Sequence, residues 1–174
     1  EYESTPRFDV TIVIEPSGDL LITETIVQEF GSTERHGIFR NIPNRLRYDN
    51  EFDRVYPIDL ISVNASADTP EDVETKEENG NFVIRIGDPD TTITGRHTYE
   101  IVYRVEGAMN GFDSHDELFW NVIGNEWEQS IGEMNVRVTA SADVTRVACF
   151  EGMFGSTAEC NQAQITKKGD AVFS

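Results

Sequence analysis

Residues 7–15 place an apolar side chain at every second position, the period of two that is typical of a half-buried strand. Four large apolar residues share one side of residues 7–15: Phe8, Val10, Ile12 and Ile14. Pro-Ser-Gly-Asp follows at 16–19, where Pro fixes φ and Gly accepts a positive φ. A second apolar stretch covers 20–30. The pattern therefore predicts a β-hairpin at the start of the fold.

Short strands are also predicted along the rest of the chain. Pro57 lies inside one of them, which suits an edge strand or a bulge. Asn79-Gly80 separates two others and is the strongest two-residue hairpin signal in the chain. Loops are expected at 31–36 and 87–95, and a short apolar segment at 37–42 ends at Pro43. The predicted strands after the first hairpin are 54–67, 73–77, 82–86, 98–105, 117–123, 134–140, 144–150, 163–167 and 171–173.

About eleven short strands, with turn signals between them, favour an all-β protein with little helix. The aliphatic composition agrees, because 15 Val and 15 Ile stand against 5 Leu and 9 Ala, and β-branched side chains favour the pleated sheet. We predict an antiparallel β-sandwich, immunoglobulin-like or related. One domain over 1–174 is the simpler interpretation, and a split near 68–71 into two small β subdomains is the alternative.

The charge of the chain excludes some partners. With 32 Asp+Glu against 14 Lys+Arg, the net charge is −18 and the pI is near 4.3. Such a surface repels phosphate, so binding of nucleic acid or of anionic membranes through a basic patch is excluded. No apolar run exceeds four residues, so we expect neither a transmembrane helix nor a signal peptide within these residues.

Cys149 and Cys160 close a ring of twelve residues across a loop. Two cysteines at this distance favour a structural disulfide, since two thiols cannot complete a four-ligand zinc site. A bridge would place the domain in an oxidising compartment, outside the cell or in a periplasm. The alternative is two unconnected thiols in a cytosolic protein.

Metal and cofactor chemistry is weakly supported. The three histidines, at 36, 97 and 115, form no short-spaced pair of the kind that metal sites use. Two acidic loops offer carboxylate oxygens as ligands for calcium. Neither loop matches the twelve-residue helix–loop–helix pattern of a calcium site. The calcium candidates are Asp88, Asp90, Asp113 and Asp116. We expect no cofactor.

Enzymatic chemistry is also weakly supported. Glu117, Glu126 and Glu128 lie near both tryptophans, which would suit a carbohydrate-active site with an indole as sugar platform. Among 32 acidic residues, however, such proximity has little specificity. Nucleophile and phosphate-binding motifs are absent from the sequence. The chain is therefore predicted not to be an enzyme.

Two segments combine aromatic, charged and glycine residues closely: 35–43 and 116–131. One interpretation makes them packing motifs, in which Arg40 pairs with a carboxylate of the second segment and Trp120 anchors the core. The other makes them a recognition surface rich in Trp and Arg. The residues of that surface would be Arg35, His36, Arg40, Asp116, Glu117, Trp120, Asn121 and Trp127.

The same segments resemble a known family. Gly-Ile-Phe-Arg-Asn-Ile-Pro at 37–43, Tyr-Arg-Val-Glu-Gly-Ala at 103–108 and Asp-Glu-Leu-Phe-Trp-Asn-Val-Ile-Gly at 116–124 are similar to the predicted membrane proteins of domain of unknown function 2207. The resemblance implies an extracytoplasmic, β-rich domain of a bacterial membrane protein, attached to the membrane through segments outside this chain. It implies no catalytic residues, because the family has no established activity.

These observations lead to one functional expectation with two alternatives. We expect a non-enzymatic module on the extracytoplasmic side of the membrane that binds or senses a protein or a cell-surface ligand; a monomer is compatible with this. The alternatives are a carbohydrate-binding or carbohydrate-active domain that uses Trp120 or Trp127 with a nearby Glu, and a calcium-stabilised adhesive module.

Overall fold

The structure, a computed structural model, describes residues 2–47, 50–153 and 155–174. Within these ranges it has no helix and sixteen strands, so the all-β prediction is confirmed and the strand count exceeds the predicted eleven. The strands are β1 (Ser4–Ile14), β2 (Leu20–Glu29), β3 (Gly37–Pro43), β4 (Arg45–Arg47), β5 (Asp53–Val55), β6 (Ile58–Ala65), β7 (Val73–Glu78), β8 (Asn81–Gly87), β9 (Arg96–Val105), β10 (Met109–Gly111), β11 (Asp116–Leu118), β12 (Ile131–Ala140), β13 (Phe150–Glu151), β14 (Ala158–Glu159), β15 (Ala163–Ile165) and β16 (Ala171–Phe173).

The largest sheet has seven strands in the order β15-β16-β12-β1-β2-β9-β6. Strands β1 and β2 form the predicted hairpin, with Ile14 opposite Leu20. On its other side β1 pairs with β12 in parallel, whereas the sequence predicted antiparallel pairing throughout. Parallel neighbours need a long connection between them, and strands β2 to β11 together with residues 119–130 supply it here.

A second sheet has three strands in the order β3-β8-β7. Strands β7 and β8 are joined at Asn79-Gly80, as predicted, and both turn residues have positive φ, 52° and 78°. This is the backbone of a type I′ turn, which Asn-Gly adopts at low cost. At the far end of the sheet Gly37 lies opposite Gly87, both with φ of 143°. A Cβ atom on Gly37 would lie 1.9 Å from the carbonyl oxygen of Ile86, so only glycine fits there.

The two sheets pack face to face around one apolar cluster. The large sheet contributes alternate residues of β1, β2 and β9, including Tyr99, Ile101, Tyr103 and Val105, all fully buried. The three-stranded sheet contributes Ile38, Ile42, Phe82, Ile84 and Ile86. The arrangement confirms the prediction of a sandwich-like fold. Strands that precede residues 68–71 in the sequence pair with strands that follow them: β6 pairs with β9, and β3 pairs with β8.

Three predicted strands differ from the structure. The strand at 54–67 is divided at Pro57 into β5 and β6, and β6 is an edge strand with a register shift between Leu60 and Ser62. Of 117–123 only the first two residues lie in a strand, and of 144–150 only Phe150 does, so both predictions were largely wrong. A strand needs a free neighbouring edge, and both edges of β12, which precedes 144–150, are occupied by β1 and β16.

Candidate functional site

A charged pair lies in the middle of the apolar core. Glu24 occupies the inward face of β2, between Ile22 and Ile26, and Arg40 occupies the inward face of β3, between Ile38 and Ile42. Both side chains are 0 % exposed. Arg40 donates from Nε and Nη2 to the two carboxylate oxygens of Glu24, at 2.7 and 2.8 Å. This bidentate geometry offsets much of the cost of removing two charges from water.

Tyr103 completes this buried cluster. Its hydroxyl donates to Glu24 at 2.7 Å from the inward face of β9. Burial, and secondarily the negative charge of Glu24, raise the pKa of Tyr103 well above its ordinary value. Burial, the largest single influence, lowers the pKa of Arg40, but the charge and hydrogen bonds of Glu24 together with Tyr103 outweigh it and leave that pKa raised. The guanidinium therefore stays charged and the phenol stays neutral at physiological pH.

The remaining donors of Arg40 hold a segment without strands, residues 119–130, which we name the strap. Arg40 donates to the carbonyl oxygens of Val122 and Ile123 at 2.6 and 2.8 Å, and to that of Asn41 at 2.8 Å. The sequence had predicted that Arg40 pairs with a carboxylate of this segment. That prediction was wrong, because Glu24 on β2 supplies the carboxylate and the strap supplies backbone carbonyls.

Both tryptophans of the strap also fix it to the sandwich. The indole Nε1 of Trp127 donates to Thr5 Oγ1 at 3.1 Å, and Thr5 donates in turn to Gln28 Oε1 at 3.0 Å. The Trp127 ring packs edge-on against Phe8. Trp120 packs edge-on against Tyr56. Both tryptophans are half-buried against the core, so Trp120 contributes to the core as expected, although from its margin.

The residues predicted to form a recognition surface are distributed over several environments. The prediction that Arg40 belongs to a recognition surface was wrong, because its side chain is buried and its charge is neutralised inside the core. Arg35 is exposed and paired with Glu3 at 2.6 Å, and it lines an open cleft of about 470 Å³ with Glu128 and Ser130. His36 bonds to the carbonyls of Asp88 and Thr91. Asp116, Glu117 and Asn121 are exposed, and Trp120 and Trp127 are half-buried.

The acidic candidates for calcium are separated or already engaged. The carboxylate of Asp88 accepts hydrogen bonds from the amide of Asp90 and the hydroxyl of Thr91, both at 2.8 Å. These bonds, the amide first, lower the pKa of Asp88. Asp113 and Asp116 are exposed on the β10–β11 hairpin. Across residues 2–47, 50–153 and 155–174, no three His, Cys, Asp or Glu side chains form a group that could hold a metal ion.

Cys149 and Cys160 form the predicted disulfide, with their Cα atoms 5.5 Å apart. The bridged ring contains the short β13–β14 pair and two exposed apolar side chains, Phe150 at 62 % and Met153 at 88 %. Residue 154 of the ring lies outside the described residues. No helix long and apolar enough to span a bilayer occurs among the residues that the structure describes.

The sequence did not reveal which groups bond to Arg40 and Trp127, namely Glu24 and Thr5, or that these two bond in turn to Tyr103 and Gln28. A signal for two of them was present, because Glu24 and Gln28 interrupt the apolar side of an otherwise regular strand. Arg40 interrupts the short apolar segment at 37–42 in the same way. Two opposite charges that each occupy an inward position predict a buried pair, since an unpaired buried charge is too costly.

Comparison with known proteins identifies the family. The model of the predicted membrane protein (DUF2207) N-terminal domain matches residues 4–171. The chain belongs to this family. It is also 28 % identical over 127 residues to the uncharacterized protein YciQ of Escherichia coli. The aligned region covers 72 % of this chain and 20 % of YciQ. The DUF2207 domain described here therefore spans about a fifth of the length of its relative.

Among solved structures the DUF2207 domain resembles part of a much larger enzyme. Native leukotriene A4 hydrolase from Saccharomyces cerevisiae superposes on 98 % of this chain and 26 % of its own chain, with a TM-score of 0.56 and 9 % identity. A second structure of the native yeast hydrolase gives a TM-score of 0.54 at 8 % identity, with the same coverage. At such low identity the likeness extends to the fold alone.

Proposed function

We propose that this domain is a non-enzymatic binding or sensing module, held on the extracytoplasmic side of the membrane by the rest of a membrane protein. The Cys149–Cys160 disulfide is the observation that supports an extracytoplasmic location. Disulfides persist in oxidising compartments and are rare in the cytosol. In a family of membrane proteins, a bridged domain is therefore expected outside the cytoplasm.

Binding rather than catalysis is supported by where the polar chemistry lies. The buried groups Arg40, Glu24 and Tyr103 bond to one another and to the strap. Acidic groups such as Asp116 and Glu117 lie outside, on the β10–β11 hairpin. A rigid scaffold with an acidic exterior suits recognition of a partner with basic groups.

The side of the membrane is tested with fusions to the full-length protein in its host. Alkaline phosphatase is inserted directly after Ser174 in one strain, and green fluorescent protein in a second. We expect active phosphatase, a dark fluorescent protein and an oxidised Cys149–Cys160 pair on non-reducing mass spectrometry. An inactive phosphatase with bright fluorescence and two free thiols would place the domain in the cytoplasm and end the proposal.

Binding is tested separately with the purified domain and intact cells that lack the gene. We expect saturable binding that weakens in the Asp116→Ala/Glu117→Ala variant. The matched control is Glu74→Ala/Glu78→Ala, which removes the same charge from the exposed strand β7. Absence of saturable binding, or equal loss in both variants, would contradict a specific acidic recognition surface at the hairpin.

A further inference from the structure

The bridged loop, residues 149–160, carries two large exposed apolar side chains among its described residues. Its base is closed by the disulfide and by a backbone hydrogen bond from the amide of Cys160 to the carbonyl of Cys149, at 3.2 Å. Phe150 is 62 % exposed and Met153 is 88 % exposed, the largest exposed fraction of any Phe or Met side chain that the structure describes. A covalent closure around exposed apolar side chains limits their freedom to fold back onto the domain.

The base of this loop lies close to Ser174, the last residue of the sequence. Ser174 and Gln162 exchange two backbone hydrogen bonds, at 2.9 and 3.1 Å. Gln162 is two residues from Cys160, so the base of the loop lies within about 7 Å of that pair along the chain. The family model is that of an N-terminal domain, and four fifths of the relative YciQ lies outside the matched part. In this family the remaining, membrane-protein part of the chain therefore follows the end at which the bridged loop lies.

The distribution of charge also favours an orientation in which the C-terminal part of the domain faces the membrane. Residues 141–174 contain four acidic and three basic side chains, whereas residues 1–140 contain 28 and 11. The net charge is thus −1 in the C-terminal part and −17 in the rest. A nearly neutral part with exposed apolar residues can approach lipid headgroups, while the acidic body is repelled by an anionic surface.

The size of the apolar tip distinguishes lipid from protein as its occupant. A stable protein interface buries about 800 Å² on each partner, which Phe150 and Met153, the two large exposed apolar side chains among the described residues of the loop, do not supply. Shallow insertion at a lipid–water interface needs no shaped partner and accommodates single aromatic and Met side chains. Such contact is weak alone, but attachment of the chain nearby makes the second contact intramolecular.

We propose that the bridged loop contacts the lipid surface of the membrane that anchors the protein, with Phe150 and Met153 inserted at the lipid–water interface. The loop then orients the domain, with its C-terminal end toward the bilayer and its acidic body away from it. This inference rests on membership of a membrane-protein family and holds on either side of the membrane, so it stands or falls independently of the proposed function.

The test uses the chain with a histidine tag after Ser174, bound at low density to phosphatidylcholine vesicles that contain nickel-chelating lipid. Hydrogen exchange is followed by mass spectrometry with the disulfide intact until quench. We expect exchange in peptides from the bridged loop to slow at least about threefold on the vesicles. Peptides from the exposed strand β7 should exchange at the rate of the free protein.

Two variants decide whether the apolar tip makes the contact. Phe150→Ser/Met153→Ser should lose the protection, whereas Phe112→Ser, which removes a 54 % exposed Phe on the β10–β11 hairpin, should keep it. Unchanged thermal midpoints show that both variants are folded. The proposal is overturned if the tethered wild-type loop is not protected, if protection survives the double substitution, or if it grows with surface density and thus reports contact between protein molecules.

Discussion

At the scale of single residues, the Arg40–Glu24 pair connects the two sheets and the strap. A buried ion pair contributes little more to the stability of a protein than a well-packed apolar pair would. The loss of one partner, however, leaves an uncompensated charge in the core. Here that charge would be Glu24, which is fully buried and accepts bonds from Arg40 and Tyr103. The pair therefore makes the position of β3 and of the strap dependent on one side chain.

We predict that Arg40→Met lowers the free energy of unfolding by about 3–5 kcal/mol, because the buried carboxyl group of Glu24 loses its cationic partner and keeps only the hydroxyl of Tyr103. Urea unfolding monitored by tryptophan fluorescence measures this, since Trp127 and Trp120 flank the strap residues that Arg40 holds. The control is Arg40→Met/Glu24→Leu, which removes both charges and should recover a large part of the loss. A loss below about 1 kcal/mol in the single variant would contradict the interpretation.

Tyr99 gives a prediction for alkaline pH. Its side chain is fully buried, and its hydroxyl has no hydrogen-bond partner among the described residues. Burial raises the pKa of Tyr99 to about 12, from an ordinary value of 10.0. The unfolded chain therefore releases this proton first, so the free energy of unfolding should fall as pH rises from 10 toward 12.

In the Tyr99→Phe variant we expect this fall to become shallower. At pH 7 the free energy of unfolding of the variant should be no more than about 0.5 kcal/mol below that of the wild type, since the substitution removes a buried hydroxyl without a partner. Denaturation by urea at a series of pH values measures both effects. An identical pH profile in the two proteins would show that Tyr99 does not contribute.

At the scale of elements, the sequence predicted those strands whose signals are local. The β1–β2 hairpin followed from alternation and a Pro-Ser-Gly-Asp turn, and the β7–β8 hairpin followed from Asn79-Gly80. The parallel pairing of β1 with β12 could not be predicted, because alternation reveals which face is buried but not which strand lies alongside. Residues 144–149 misled for the same reason: Val144 and Val147 fit a strand pattern, but both edges of the preceding strand, β12, are already occupied by β1 and β16.

The contact between Gly37 and Gly87 in the three-stranded sheet leaves no room for a side chain on either residue. We predict that Gly37→Ala costs at least about 3 kcal/mol, since its methyl group would overlap the backbone of Ile86 and its φ is positive. Gly107→Ala is the matched control, because Gly107 has φ of 64° but nothing within 4 Å of a Cβ. It should cost only about 1–2 kcal/mol, the strain of a left-handed backbone. Chemical denaturation compares the two, and equal losses would show that the close approach contributes nothing.

At the scale of the whole molecule, the charges could be counted from the sequence but their arrangement could not. Opposite charges at Glu24 and Arg40, 16 residues apart, meet only because β2 and β3 lie in different sheets. Many of the other carboxylates are exposed, including all five of strand β7 and the two residues before it: Glu71, Asp72, Glu74, Glu77 and Glu78. With a net charge of −18, repulsion among exposed groups opposes the folded state, in which they are held closer than in the unfolded chain.

Screening should therefore stabilise the domain. We predict that raising NaCl from 10 to 500 mM at pH 7 increases the thermal midpoint by about 2–4 °C, which corresponds to about 1 kcal/mol for a chain of this length. The control is the same titration at pH 4.3, near the isoelectric point, where the net charge vanishes and the salt effect should largely disappear. Differential scanning calorimetry measures both series. A midpoint that falls with salt at pH 7 would mean that favourable ion pairs such as Arg104–Glu15 and Arg35–Glu3 outweigh the repulsion of the excess carboxylates.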